Sequence, residues 1–262
     1  MGNQNSQQQS TPKQTTQSPQ VDPEELSPLN KCSNNDCGNK YSVPDTPNNI
    51  GGWQTDRTIC MDCNREKIFK LVYNNLKRNN FPREFWNIAN DEYFKKFINW
   101  DSPAFKHNAK GIKRVKDRLT TENNLIALLG SHGTGKTLLG CYLAACMGYW
   151  RKSLYYTKQN ELSIRIRGSY NSKTETEWDI YRELINVNFL VIDEIGAFVG
   201  GSDADSRYLQ AIISGRHDKQ KSLVLISNLD YEQFIKAMGS WITDRLKGSH
   251  VSILNFSGDS MR

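Results

Sequence analysis

An apolar stretch followed by a glycine-rich loop constrains the fold of this chain more than any other feature. Residues 125–129 read LIALL, a short apolar run that predicts a buried β-strand. The loop GSHGTGKT follows at residues 130–137, and an apolar helical pattern comes directly after it. A strand, a loop of the form G-x4-G-K-T and a helix, in this order, are typical of a phosphate-binding loop of the Walker A type.

Each part of this loop has a chemical task on a bound nucleotide. Its glycines let the backbone wrap closely around phosphate oxygens, and the helix presents the positive end of its dipole to them. We expect Lys136 to reach the β- and γ-phosphates and the Thr137 hydroxyl to ligate Mg²⁺. The predicted nucleotide-contacting residues are Gly130, Ser131, His132, Gly133, Thr134, Gly135, Lys136, Thr137 and Leu138.

Two adjacent carboxylates mark the end of another predicted strand. The run NFLVIDEIG places Asp193 and Glu194 directly after the apolar residues 189–192. Behind a phosphate-binding loop, such a pair is typical of a Walker B site, in which Asp193 holds Mg²⁺ and Glu194 polarises the attacking water. A single acid that caps the next helix is the alternative, but it does not explain the pair. The glutamate favours hydrolysis over nucleotide binding alone.

Three further apolar runs, at residues 153–157, 222–228 and 250–256, predict additional strands. Helical patterns separate most of the five runs. We therefore expect an α/β fold with a five-stranded, mostly parallel sheet and helices on both faces. Asn228 follows one of these strands, where it can hydrogen-bond the attacking water or the γ-phosphate; an ordinary turn residue is the alternative.

The first 29 residues differ in composition from the rest of the chain. They are rich in Gln, Ser, Thr and Pro and nearly lack large apolar side chains, so we predict a disordered polar tail over 1–29.

No apolar run reaches the ~18 residues needed to span a bilayer, and no signal peptide is recognisable. We therefore expect a cytoplasmic protein without membrane contact. The net charge of +6 is compatible with nucleic-acid binding but does not establish it.

Four cysteines lie in two close pairs near the N-terminus. Cys32 and Cys37 form a C-x4-C pair, and Cys60 and Cys63 form a C-x2-C pair. Such spacing can bring four thiolates around a tetrahedral Zn²⁺, and a small, loop-rich segment needs a staple of this kind. We predict a zinc-binding domain over 30–79 in which the metal is structural. Disulfides or free surface thiols are the alternative.

In its motifs and their order, the chain resembles the AAA+ ATPases, and more narrowly the DnaC/DnaI-type replicative helicase loaders. The segments GSHGTGKT, FLVIDEIG, LISNL, ITDRL and DSMR carry this resemblance, and NNFPREFW looks like the lead-in to the ATPase core of that group. The resemblance implies a P-loop AAA+ ATPase domain over 80–262, with ATP and Mg²⁺ as cofactors. It also implies that the cysteine-bearing 30–79 domain interacts with the helicase.

The resemblance assigns roles to residues outside the phosphate loop as well. Asn228 would be sensor I, Arg262 the sensor II arginine, and Arg245 the arginine finger that one subunit offers to its neighbour. Without the resemblance, Arg245 would be read as a solvated helix charge. The implied function is an ATP-dependent replication factor that forms a homo-oligomer when ATP-bound, binds a hexameric replicative helicase and loads it onto single-stranded DNA.

A basic, partly aromatic segment between the second and third predicted strands is the candidate DNA contact. In ELSIRIRGSYNSKTETEW, apolar and polar residues alternate in a pattern that is ambiguous between strand and helix. In the loaders that the chain resembles, this region carries a helix facing the axis of the assembly. Arg165, Arg167 and Lys173 can neutralise phosphates and Tyr170 can stack on a base. A solvated basic face is the alternative.

Two other functions fit parts of the sequence. An IstB-like transposition helper ATPase has the same core motifs, but it would act with a transposase on double-stranded DNA. A non-hydrolysing adaptor would use the nucleotide fold only as a scaffold, although Glu194 and Arg245 argue against it. The compact length and the polar tail would suit a protein of a phage or a mobile element.

Overall fold

The computed structural model of the chain is built around one parallel sheet. It describes residues 30–31, 40–41, 49–50, 53–54, 61–88, 100–119, 123–149, 152–196 and 203–258. The strands of the sheet are β1 (Leu125–Gly130), β2 (Leu154–Lys158), β3 (Phe189–Ile195), β4 (Ser222–Ser227) and β5 (Val251–Phe256). Their spatial order is β2-β3-β4-β1-β5, and every pairing is parallel. The predicted five-stranded sheet is confirmed.

Helices cover both faces of this sheet, each with its own apolar core. On one face lie α1 (Met61–Arg78), α2 (Pro103–Arg118) and α3 (Lys136–Tyr149). On the other face lie α4 (Gln159–Ser169), α5 (Glu177–Asn186), α6 (Asp203–Asp218), α7 (Tyr231–Met238) and α8 (Trp241–Arg245). A 3-10 turn spans Arg83–Phe85. Two-residue antiparallel pairs join Asn30–Lys31 to Lys40–Tyr41 and Asn49–Ile50 to Trp53–Gln54.

The apolar run that predicts β1 serves both cores. Ile126 and Leu128 are buried in the core beneath α3, whereas Leu125, Ala127 and Leu129 are buried in the opposite one. Successive side chains of a strand point to opposite faces, so a strand that is covered on both sides reads as a continuous apolar run. No helix in the part of the chain that the structure describes is both long and apolar enough to cross a membrane.

Helix α1 shares its core with the sheet, although it lies in the predicted zinc-binding domain. Its buried residues Ile68, Val72 and Leu76 belong to the same core as α3. The two helices pack closely, because a Cβ added at Gly148 of α3 would lie 3.3 Å from Cγ1 of Val72. One continuous hydrophobic core therefore contains residues from both sides of the predicted domain boundary at residues 79–80. The predicted tail, 1–29, lies outside the described residues.

The second core contains a fully buried charged side chain. The guanidinium of Arg216 in α6 donates to the backbone carbonyls of Leu184, Val187, Asn188 and Ser222. Two of these carbonyls lie at the end of α5, where unpaired carbonyls and the helix dipole favour a cation. Burial lowers the pKa of Arg216 from the ordinary value of a guanidinium. This side chain ties α5, α6 and β4 together at the amino edge of the sheet.

Candidate nucleotide-binding site

The motifs predicted from the sequence meet at the carboxyl edge of the sheet. β1 leads into the loop 130–135, and β3 ends in the carboxylate pair. β4 lies between these two strands and ends immediately before Asn228. In open parallel sheets, ligands bind outside the carboxyl ends of the strands. Strand order alone therefore brings the loop, the carboxylates and Asn228 to one place.

The glycines of the loop adopt backbone conformations that other residues avoid. The φ angles of Gly130, Gly133 and Gly135 are 118°, 74° and 89°, all in the left-handed region. Gly130 also has no room for a side chain, because an added Cβ would lie 2.1 Å from the carbonyl oxygen of Phe256 in β5. Packing against β5 therefore requires glycine at position 130, whether or not the loop binds a phosphate.

The ammonium of Lys136 lies within the loop. Its Nζ donates to the carbonyl oxygens of Gly130 at 2.7 Å and Ser131 at 2.5 Å. The side chain is buried, and burial lowers its pKa to about 8, while the charge of Asp193 acts in the opposite direction. No described carboxylate forms an ion pair with it. A buried, unpaired ammonium in the first turn of α3 is a site that a phosphate anion stabilises.

Asp193 is buried and accepts hydrogen bonds on both carboxylate oxygens. Its Oδ2 accepts from the hydroxyls of Thr137 at 2.8 Å and Tyr156 at 2.9 Å, and its Oδ1 accepts from the backbone N–H of Glu194 at 2.6 Å. Thr137 and Asp193 thus bring a hydroxyl and a carboxylate together beside the phosphate loop. Oxygen donors of these two kinds are the ligands that Mg²⁺ prefers, so the residues fit the predicted magnesium site.

Tyr156 of β2 is a part of this site that sequence reasoning missed. It pairs with Val191 in the register of the sheet, so Asp193 is its diagonal neighbour, within reach of a long side chain. Burial first, and then the charge of Asp193, raise the pKa of its phenol far above the ordinary value. The phenol is therefore protonated and donates. The apolar run that predicted β2 carried no sign of this contact.

Glu194 is held by a second side chain of β2. Its φ of 57° is unusual for a residue other than glycine, and its Oε1 accepts from Nζ of Lys158 at 2.8 Å. This hydrogen bond raises the pKa of Lys158. An oxygen engaged by an ammonium is a weaker acceptor for a proton of water. A partly exposed ion pair is worth only roughly 0–1 kcal/mol, so it restrains Glu194 without locking it.

Asn228 lies on a short bridge between the carboxylates and the phosphate loop. On one side of it, the Ser227 hydroxyl donates to the carbonyl of Ile195 at 2.6 Å. On the other side, the carbonyl of Leu229 accepts from the N–H of Gly130 at 2.9 Å. Asn228 is therefore held between the ends of β3 and β1, and its role as a sensor stays a prediction.

Arg245, the predicted arginine finger, is the last residue of α8. Its side chain is partly exposed, and none of the described residues engages it in a hydrogen bond or an ion pair, although its Nε is shielded from solvent. The neighbouring Asp244 pairs instead with Lys247, at 2.9 Å. Within the described residues, the guanidinium of Arg245 therefore has no polar partner.

The predicted zinc ligands lie almost entirely outside the described residues. This holds for Cys32, Cys37 and Cys60; Cys63 lies in α1, but only its backbone is described. Among the side chains that are described, no group of three or more His, Cys, Asp or Glu residues is arranged to hold a metal ion. The zinc site stays a prediction. The same is true of the sensor role of Arg262, which also lies outside these residues.

The ambiguous basic segment is helical, and its first predicted DNA-contacting residue is engaged within the protein. Arg165 in α4 donates to the carboxylates of Glu175 at 2.5 Å and Glu183 at 2.7 Å. The hydrogen bond to Glu175 is the main cause that raises the pKa of Arg165 above its ordinary value. Two carboxylates compensate the charge of this guanidinium, which reduces what it can offer to a phosphate.

The other predicted DNA-contacting residues lie on the surface. Arg167 and Lys173 are exposed, and 56% of the Tyr170 side chain is accessible. The hydroxyl of Tyr170 contacts that of Tyr208 in α6, which leaves the ring itself at the surface. Trp178, at the start of α5, is 62% exposed. Exposed aromatic rings are the groups on which the bases of single-stranded nucleic acids stack.

The chain is similar to known ATP-binding and replication proteins. Residues 98–262 match the family described as "IstB-like ATP binding protein". The replicative helicase loader DnaC of Buchnera aphidicola subsp. Acyrthosiphon pisum is 26% identical over 158 residues, which are 58% of this chain and 62% of that protein. DnaC of Buchnera aphidicola subsp. Baizongia pistaciae is 30% identical over 138 residues, 51% and 54% of the two chains. The match thus spans less than two thirds of these relatives.

Solved structures share the fold. The crystal structure of the DnaC helicase loader has a TM-score of 0.56 and 17% identity, and the match covers 67% of this chain and 100% of that one. The replication initiator DnaA bound to AMPPCP and single-stranded DNA has a TM-score of 0.53 and 18% identity, with 65% and 51% covered. These likenesses show that the chain shares the α/β fold of these proteins. With the curated relatives, they confirm the predicted resemblance to helicase loaders.

The lowered pKa of Lys136 predicts proton uptake when a nucleotide binds. At about pH 9 this lysine is mostly neutral, and phosphate charges raise its pKa, so binding should take up about one proton. At about pH 7 the lysine is already protonated, and it contributes no uptake. Calorimetric titration of ATP in two buffers of different ionisation enthalpy measures this uptake.

Lys136→Arg is the control for this titration, because a guanidinium stays charged throughout this pH range. The uptake at high pH should vanish in this variant. Equal proton uptake in Lys136→Arg and in the unchanged chain would assign the titration to another group.

Proposed function

Because the chain belongs to the IstB-like ATP-binding family, we propose that it hydrolyses ATP to load a hexameric replicative helicase onto single-stranded DNA. The observation that carries the ATPase part is the contact between Thr137 and Asp193 beside the buried ammonium of Lys136. The helicase part rests on curated relatives that are named replicative helicase loaders.

Each side chain of the site has a task in this reaction. Lys136 binds the phosphates, and Thr137 and Asp193 hold Mg²⁺, which when bound neutralises charge on the phosphate oxygens. Glu194 polarises the attacking water once Lys158 releases the carboxylate. Asn228 orients that water from its place between the two motifs.

The N-terminal region is the proposed contact with the helicase. In this proposal the region 30–79 binds structural Zn²⁺ through its four cysteines and docks on the helicase. An intact chain that contains no zinc on elemental analysis would remove this part of the proposal and leave the ATPase part unchanged.

A transposition helper ATPase is the second candidate, since the matched family takes its description from IstB. Such a protein would act with a transposase on double-stranded DNA. The names of the curated relatives favour the helicase loader. A preference for double-stranded over single-stranded DNA, with no binding to a hexameric helicase, would favour the helper instead.

The test of the main proposal is helicase transfer onto a single-stranded DNA circle. Lys136→Ala should abolish ATP-dependent transfer, because it removes the cation that binds the phosphates. Lys113→Ala, an equally drastic change at an exposed lysine of α2, should leave transfer unchanged. Co-sedimentation of the cognate replicative helicase with the circle measures both. Normal transfer by Lys136→Ala would refute the ATP-dependent mechanism.

Arg245 is proposed to act on the ATP site of a neighbouring subunit. It lies on the crossing from the carboxyl end of β4 back to the amino end of β5, and no described residue engages its guanidinium. Among the described residues, Lys136 is the cation that lies within the phosphate loop. A second cation from a neighbour stabilises the charge that develops in the transition state. ATP hydrolysis would then require assembly.

Arg245→Ala should keep ATP binding and lower the hydrolysis rate by roughly 10³–10⁵-fold. Lys247→Ala, at an exposed neighbour, should leave both unchanged. Mixing Arg245→Ala subunits with Lys136→Ala subunits should restore part of the hydrolysis, because the second kind offers its arginine to the intact site of the first. Steady-state ATPase rates measure this rescue. If mixing restores no hydrolysis and Arg245→Ala also fails to bind ATP, Arg245 acts on the ATP site of its own subunit.

Single-stranded DNA is proposed to stack on Tyr170, with Arg167 and Lys173 nearby for phosphates. Two carboxylates compensate Arg165, so the exposed ring of Tyr170 provides the larger share of the contact. Base stacking on an aromatic side chain is worth about 1–3 kcal/mol and tolerates any base.

Tyr170→Ala should weaken binding of a labelled oligothymidine by roughly 5- to 150-fold, the equivalent of one lost stacking contact. Tyr231→Ala, at an exposed tyrosine of α7, is the matched control and should not change binding. Fluorescence anisotropy at fixed salt measures both affinities. If the two variants bind equally well, the DNA contact lies elsewhere.

A further inference from the structure

The chain turns sharply after α1 and lies along the edge of the sheet. Asn80 has a φ of 63°, a left-handed conformation that reverses the chain. The carbonyl of Asn79 accepts from the N–H of Tyr156 at 3.1 Å, and the amide of Asn80 donates to the hydroxyl of Tyr155 at 2.9 Å. Residues 79–81, hereafter the edge turn, are therefore bonded to β2, an outermost strand of the sheet.

Phe81 fixes the side chain of Tyr156 from the outside. The two rings lie 5.5 Å apart between centroids, and both side chains are buried. The backbone carbonyl of Phe81 also accepts from Nε1 of Trp86 at 2.7 Å, which holds the end of the edge turn. One side of the Tyr156 ring thus touches the edge turn, while its hydroxyl touches Asp193 at 2.9 Å.

We propose that Tyr156 is a positioning residue that holds the Mg²⁺-binding carboxylate of Asp193 and couples it to the edge turn. This inference rests on the proposed binding of ATP with Mg²⁺. Oδ2 of Asp193 accepts from Thr137 and Tyr156 only among the described side chains. Thr137 is itself a proposed ligand of the ion, whereas Tyr156 is not. Tyr156 is therefore the donor that orients the carboxylate without itself being a ligand of the ion.

The coupling follows from the order of the contacts. α1 ends at Arg78, directly before the edge turn, and α1 is the last part of the region 30–79 that is proposed to bind the helicase. A displacement of α1 changes the packing of Phe81 on Tyr156 and, through the phenol, the position of Asp193. Partner binding at the N-terminal region then alters Mg²⁺ affinity, with Tyr156 as the link between them.

The first test measures ADP affinity with Mg²⁺ and with EDTA, using a fluorescent analogue and the full chain. Tyr156→Phe keeps the ring and removes one hydrogen bond to the carboxylate. Loss of such a supporting bond typically lowers metal affinity by about 10- to 100-fold. The enhancement of ADP affinity by Mg²⁺ should fall in this variant, while the affinity in EDTA should not change.

Tyr181→Phe is the matched control. It removes a hydroxyl from a partly buried tyrosine of α5, which packs in the core on the other face of the sheet, beside Gly215 and away from the edge turn. The Mg²⁺ enhancement should be unchanged in this control. Equal enhancement in Tyr156→Phe and in the unchanged chain would overturn the positioning role. An unchanged chain that binds no nucleotide would instead refute the proposed function, and with it this inference.

The second test is a double-mutant cycle for the coupling. Phe81→Leu alone should reduce the enhancement of ADP affinity by Mg²⁺. When it is added to Tyr156→Phe, it should cause no further reduction, because both changes act through one contact. Phe189→Leu, a buried substitution at the amino end of β3, controls for general loosening of the core. Circular dichroism verifies that each variant is folded. Additive effects of Phe81→Leu and Tyr156→Phe would overturn the coupling and leave the positioning role standing.

Discussion

The hydrogen bond between Thr137 and Asp193 joins two motifs that lie 56 residues apart in the chain. It exists because β4 is inserted between β1 and β3, so the start of α3 and the end of β3 face each other across the carboxyl edge. Gly130 packs against β5 on one side with no room for a side chain, and Asp193 is held by β2 on the other. The geometry of the site is thus determined by the order of the strands.

The edge strand β2 and its junction with α4 hold the end of β3 through three side chains. Tyr156 bonds to Asp193, Lys158 pairs with Glu194, and Gln159 accepts from the backbone N–H of Gly196 at 2.8 Å. This junction is connected to both proposed partner surfaces. The edge turn, which lies along β2, leads back to the region proposed to bind the helicase, and α4 leads towards Tyr170 on the proposed DNA surface. In the proposed function, a ligand at either surface would therefore act on the carboxylates through the same short segment.

Local patterns predicted most of the fold, whereas contacts across the sheet escaped sequence reasoning. The strands and the phosphate loop are continuous runs whose residues need no distant information. Tyr156 and Lys158 reach β3 only in one register, which the sequence does not state. Arg216 looks like a surface charge on a helix but is caged by carbonyls. Arg165 was predicted to contact DNA, and carboxylates 10 and 18 residues away in the chain compensate its charge.

The same nucleotide site would serve a helicase loader or a transposition helper, so partner choice depends on other surfaces. On the candidate DNA surface, Arg165 is compensated and only Arg167 and Lys173 are other predicted cations, so a single subunit neutralises few phosphates. Few neutralised phosphates and one stacking ring give weak binding. Several subunits side by side on one strand multiply that affinity through effective concentration. In the proposed function, assembly through Arg245 and a firm hold on DNA are therefore one physical requirement, and an isolated subunit would lack both.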